Sequence, residues 1–134
     1  MKTQIIALAT LVMISWCAQA HQFHSENVCS TQIQGLCVHL GYNSEPVINQ
    51  SAEFMVHFES QTGLDMQKIE SVSIDLWMPD HGHGSSPVQV RRLNSDHFLL
   101  SDAWFVMPGL WQIRINVSFD GQQDQLLVPI EILK

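Results

Sequence analysis

The segment Trp77-Met78-Pro79-Asp80-His81-Gly82-His83-Gly84 gathers two imidazoles, a thioether and a carboxylate in one short stretch. Pro79, Gly82 and Gly84 turn the stretch out of regular structure, and glycine on both sides of His83 lets the backbone fold closely around an ion. Imidazole and thioether together suit copper: the thioether is soft enough for Cu(I), and imidazole holds both oxidation states. The same residues also describe a polar hairpin loop that carries histidines and binds nothing.

A second methionine stands at a comparable place. Met107-Pro108-Gly109 comes just before an apolar run that starts at Trp111, so both segments set a methionine beside a proline at the end of an extended run. If the two loops meet at one pole of a small domain, Met78, His81, His83 and Met107 form one mixed imidazole–thioether site. Methionine in a core is ordinarily packing, and Met78 continues the apolar row Val72, Ile74, Leu76, so both roles stand open for each methionine. His57 falls on the outward face of its run, and His39 and His97 have no ligand-like neighbours in the chain, so all three read as surface or edge residues. Trp104 and Phe105 read as packing over one end of the domain.

The elements that must hold these loops alternate with period two. Phe54, Val56 and Phe58 alternate with Met55, His57 and Glu59; Val72, Ile74 and Leu76 alternate with Ser71, Ser73 and Asp75. Trp111, Ile113, Ile115, Val117 and Phe119 form the longest such row, and Leu126, Val128, Ile130 and Ile132 close the chain in the same way. Each run is a strand with one buried and one solvated face. Residues 88–93 and 97–100 flank Asn94-Ser95-Asp96 as a hairpin, residues 36–40 read as a first strand ending at Gly41, and Pro129 marks the last strand as an edge. About seven short strands in one domain predict an all-β fold, an antiparallel β-sandwich of immunoglobulin-like type.

Lys2, the apolar run of residues 5–16 and the small-x-small sequence Ala18-Gln19-Ala20 match a secretory signal peptide. The apolar run is short for a membrane span, so the expectation is a leader over residues 1–20, cleaved after Ala20, with no anchor retained and Cys17 lost with it. Residues 21–35 then form an N-terminal arm and residues 36–134 the sandwich. Cleavage would leave His21 first in the mature chain, where its α-amine and Nδ1 make a chelate suited to Cu(II), with His24 near enough to join. That arrangement is similar to the copper-resistance sandwich proteins of the CopC type. Cys29 and Cys37 remain as a pair, and in an oxidising exported compartment such a pair is expected to be a disulfide. Closing a loop of about nine residues would contribute ~2–3 kcal/mol on the chain-entropy argument. The spacing matches no common zinc pattern.

The chain carries a formal charge of −7 with histidine neutral, and removal of Lys2 makes it more acidic. It has no basic stripe, so nucleic acid and anionic membrane surfaces are not expected partners. It also lacks a nucleophile elbow, a telling acid–base pair and a phosphate-cradling loop, so no enzyme activity is expected.

Taken with the order Phe105-x-Met107-x-Gly109-x-Trp111-x-Ile113 downstream, the octet with its two histidines and interleaved glycines resembles the YtkA-like domain, which is similar to the periplasmic part of FixH. The resemblance spans roughly residues 52–133. It implies a periplasmic immunoglobulin-like sandwich linked to copper handling, with copper as the bound ion and a membrane oxidase or copper transporter as partner. The function expected is copper binding or delivery, serving oxidase assembly or copper homeostasis. The other class left open is an interaction module that contacts a membrane partner without metal.

Overall fold

Strand parity sets two inward faces. The structure is a computed structural model that describes residues 22–23 and 27–134. The strands are β1 (Gln22–Phe23), β2 (Val28–Cys29), β3 (Leu36–Tyr42), β4 (Ser51–Ser60), β5 (Ile69–Met78), β6 (His83–Gly84), β7 (Gln89–Arg92), β8 (His97–Trp104), β9 (Gly109–Phe119) and β10 (Gln122–Ile132), with a single 3-10 turn at Met66–Lys68. Seven of them are longer than two residues, which matches the expected strand number. One sheet runs β1-β3-β4-β8-β7, with β2 also paired to β3; the other runs β10-β9-β5-β6. Every pairing is antiparallel. The architecture is an all-β sandwich. Among the described residues no helix is long and apolar enough to cross a membrane.

The first sheet turns Leu36, Val38, Leu40, Phe54, Val56, Phe58, Phe98 and Leu100 inward; the second answers with Ile74, Leu76, Trp111, Ile113, Ile115, Val117, Leu126 and Val128. Burying a side chain of this size contributes about 1.5–3 kcal/mol relative to exposure. That gain holds the register, since a one-residue slip would turn a whole row to solvent. The β9–β10 hairpin closes on Asp120 (φ 48°) and Gly121 (φ 79°), the pair of positive φ angles that matches the twist of adjacent strands. Pro129 lies on β10, at the edge of its sheet, where its missing N–H breaks no ladder.

Two bulges re-phase the alternation. Between the pairs Ala52↔Ala103 and Phe54↔Leu100, β8 carries one residue more than β4, and Asp102 absorbs it at φ 56°. Asp is among the few residues that tolerate this region. Past the bulge, Ala103 and Phe105 point inward and are fully buried, whereas Trp104 is 38% exposed. Phe105 therefore packs inside the end of the sandwich, and Trp104, expected to pack with it, faces out. On β5 the extra residue is Glu70, between Ile69↔Phe119 and Ser71↔Ser118; its carboxylate accepts from Ser118 Oγ (2.7 Å) and the Gly121 N–H (3.0 Å).

Chain preceding β3 is also built into the fold: β1 pairs with the end of β3 through Gln22↔Tyr42 and Phe23↔Gly41. Val28 and Cys29 pair with Val38 and Cys37, and the Cys29–Cys37 disulfide locks that register. Ser30 then crosses to the second sheet: its Oγ donates to Asp124 Oδ2 (2.6 Å), which also accepts from the N–H groups of Thr31 (3.0 Å) and Gln32 (3.2 Å). Ile33, 3% exposed, plugs that end of the core. Residues 1–20, where a signal peptide is expected, lie outside the described residues, as do His21 and His24.

Candidate functional site

The two loops that carry the methionines meet at one pole. β5 ends at Met78, the chain turns through residues 79–82, and β6 returns so that His83 stands opposite Met78 and Gly84 opposite Trp77. The Met78 carbonyl closes this turn by accepting from the N–H groups of Gly82 (2.9 Å) and His81 (3.3 Å). Gly82 sits at φ 64°, which an L side chain adopts only with strain.

Trp111, at the start of β9, joins the two loops. Its indole N–H donates to the Met107 carbonyl (2.9 Å), and the His83 ring meets the indole edge-on with centroids 5.8 Å apart. Phe105 also packs edge-on against the same indole at 5.4 Å. Gly109, at φ 122°, leaves room above Met78: a Cβ there would lie 3.0 Å from the Met78 methyl. The histidine turn and the backbone of the Met107 loop thus both border Trp111, and Met78 lies against Gly109 beside them.

Their exposures differ. His81 is exposed and His83 half-buried. Met107 is partly buried and packs against the core, and Met78, 3% exposed, belongs to it. The His81 and His83 ring centroids are 5.9 Å apart. Metal–nitrogen bonds of about 2.0–2.1 Å place two imidazoles on one ion with centroids roughly 5–6 Å apart, and the spacing of this pair falls in that range. His83 Nδ1 lies 3.0 Å from the Gly84 carbonyl. A carbonyl only accepts, so this contact is a hydrogen bond when Nδ1 carries the proton, which leaves the Nε2 lone pair for an ion. Trp77 takes no part: it faces the outer side of its sheet, with the Arg114 guanidinium 4.5 Å over its ring.

A second cluster was not legible in the chain. His39, His57 and His97 occupy directly opposed positions on β3, β4 and β8, in one row across the outer face of the first sheet. The His57 and His97 rings stack at 4.2 Å, and those of His39 and His57 at 6.1 Å. Asp96, in the turn before β8, reaches His97 Nδ1 at 2.7 Å and His57 Nε2 at 3.7 Å; Glu59 reaches His39 Nε2 at 3.0 Å. The reading of His39 and His97 as lacking ligand-like neighbours is corrected here, because their neighbours come from other strands and, for His97, from the adjacent Asp96. Burial, then the adjacent His97, hold the His57 imidazole below the ordinary histidine value, against the opposing pull of Asp96. The signal that could have revealed this row is shared outward parity, but only with the strand order β3-β4-β8 in hand.

Comparison with known families, curated proteins and solved structures finds no match to this chain.

Proposed function

We propose that the protein is an exported copper-binding or copper-delivery protein. His81 and His83 are the first ligands, the Met107 thioether is the soft donor, and Met78 lies beneath them. The observation that carries this reading is the convergence on Trp111, whose ring meets His83 and whose indole N–H holds the Met107 carbonyl, which draws the histidine turn and the Met107 loop to one pole. The resemblance of the octet to YtkA-like domains supports the same ion. The leader pattern and the Cys29–Cys37 disulfide support an oxidising compartment such as the periplasm. Bound copper would supply a soft Lewis-acid and redox centre; the protein's part is to hold it at a turn that a partner can reach.

Val106, 45% exposed, and Leu110, 43% exposed, flank Met107 and Gly109. Apolar side chains beside an exposed site favour contact with a second protein, either an oxidase or transporter that receives the ion or, on the rival reading, a membrane partner bound without metal.

Isothermal titration of the protein beginning at His21 separates these readings. Sub-micromolar copper binding that falls at least tenfold in His81→Ala and His83→Ala is the expected result. Absence of sub-micromolar binding of either Cu(I) or Cu(II) leaves the metal-free interaction module. Loss of binding in His21→Ala alone transfers the site to a CopC-like terminal chelate.

A further inference from the structure

We propose that His57, Asp96 and His97 form a second metal site, distinct from the pole, for a zinc-class divalent cation. One donor atom from each of the three lies within 4.8 Å of the other two. Two imidazoles and one carboxylate are the donor set of a borderline divalent ion rather than of calcium or magnesium, which take oxygen. Three protein ligands with a solvent-facing fourth position make an open site.

Placement argues for a prepared site. His57 and His97 are cross-strand partners on neighbouring inner strands, at the end where β8 begins, so backbone pairing fixes their spacing and neither rides on a free loop. The Asp96 backbone is pinned as well: its carbonyl accepts from the Phe58 N–H (2.8 Å) and its own N–H donates to Asn94 Oδ1 (3.0 Å). All three side chains are about one-third exposed, at 27%, 30% and 32%, so solvent can deliver an ion. Tetrahedral coordination with bonds of about 2.1 Å needs donors roughly 3.4 Å apart. The Asp96–His57 separation of 3.7 Å is close to that value, and the Asp96–His97 contact of 2.7 Å must open slightly. The stacked rings must also fan apart at the carboxylate edge, a side-chain rotation that leaves the strands in place. As a ligand through Nδ1, His97 would carry its ring proton on Nε2. His39 is occupied by Glu59 and stands outside the donor set.

The two sites cannot share an ion. His97 begins β8 and Met107 follows its end, and a strand of that length separates them by roughly 25 Å.

Zinc titration of the protein carrying His81→Ala and His83→Ala tests the assignment. One site of micromolar or tighter affinity should survive the pole substitutions and weaken at least tenfold on adding His57→Gln or Asp96→Asn. Zinc affinity that is indifferent to both added changes overturns the proposal. A second measurement uses the unaltered protein, so it does not depend on any variant folding. Zinc should shift the imidazole nitrogen resonances of His57 and His97, and shifts confined to His21, His24, His81 or His83 would overturn it. Copper affinity is read separately through the pole histidines, so either reading can fail without the other.

Discussion

Met107 is tied to the pole through its backbone, and the part its side chain plays in copper binding can be tested apart from that tie. The Trp111 indole holds its carbonyl, a contact that survives any change of side chain. Met107→Leu roughly conserves volume, and such swaps cost under about 1.5 kcal/mol in a core. The expected outcome is weaker Cu(I) binding with Cu(II) binding and melting temperature nearly unchanged, measured by competition titration and thermal denaturation. Unchanged Cu(I) affinity would make the methionine packing only. A drop in melting temperature alone would assign it to the core, where Met78 already lies. Local pattern exposed the pole residues because His81, Gly82 and His83 are neighbours in the chain. The His57–Asp96–His97 cluster was hidden for the opposite reason: His57 and His97 meet through strand pairing, which period-two alternation does not order.

At the scale of the element, the entry to β9 is set by Gly109. Its φ of 122° is one that L side chains rarely adopt, and the Met78 methyl occupies the space over it. Gly109→Ala should therefore lose about 1–3 kcal/mol of stability from backbone strain, seen as a lower urea midpoint. Cu(I) affinity should fall with it as the Met107 loop is displaced. A midpoint equal to that of the parent protein would show that the turn relaxes freely. The strands themselves were legible wherever apolar parity ran unbroken, as along β9 from Trp111 to Phe119. They were least legible at the bulges: Asp102 and Glu70 each insert a residue, so a strict two-residue count places Trp104 inward and Phe105 outward. The two-residue strands β1, β2 and β6 are too short for any alternation to show, although β6 is the strand that sets His83 against Met78.

Across the whole molecule, the ends of the sandwich have different tasks. β9 runs from the pole to the far end, roughly 33 Å for its eleven residues. At that far end residues 28–33 staple the sheets together, through the disulfide to β3 and through Asp124 to β10. Reducing the disulfide should lower stability by ~2–3 kcal/mol, and Asp124→Ala, which strips the acceptor from four donors in a half-exposed setting, by about 1–2 kcal/mol. Both act on one segment, so the combined loss should fall short of additive. The Asp124 contribution is pH-dependent. Burial pulls its carboxyl upward, but the Ser30 hydroxyl and the N–H groups of Gln125, Gln32 and Thr31 outweigh that and hold it below the ordinary 3.8. A carboxyl depressed in the folded state binds fewer protons there than in the unfolded chain, so its stabilisation is complete above the unfolded value and is lost as pH falls through the folded one. Urea denaturation of the parent and Asp124→Ala proteins should therefore show a gap that is full at pH 7 and shrinks below about pH 4. A gap constant down to pH 2 would mean that the staple owes nothing to the ionised carboxylate. Copper affinity, read at the opposite pole, should be the same in both proteins at pH 7, since the intervening strands keep their register through the core rather than through the staple.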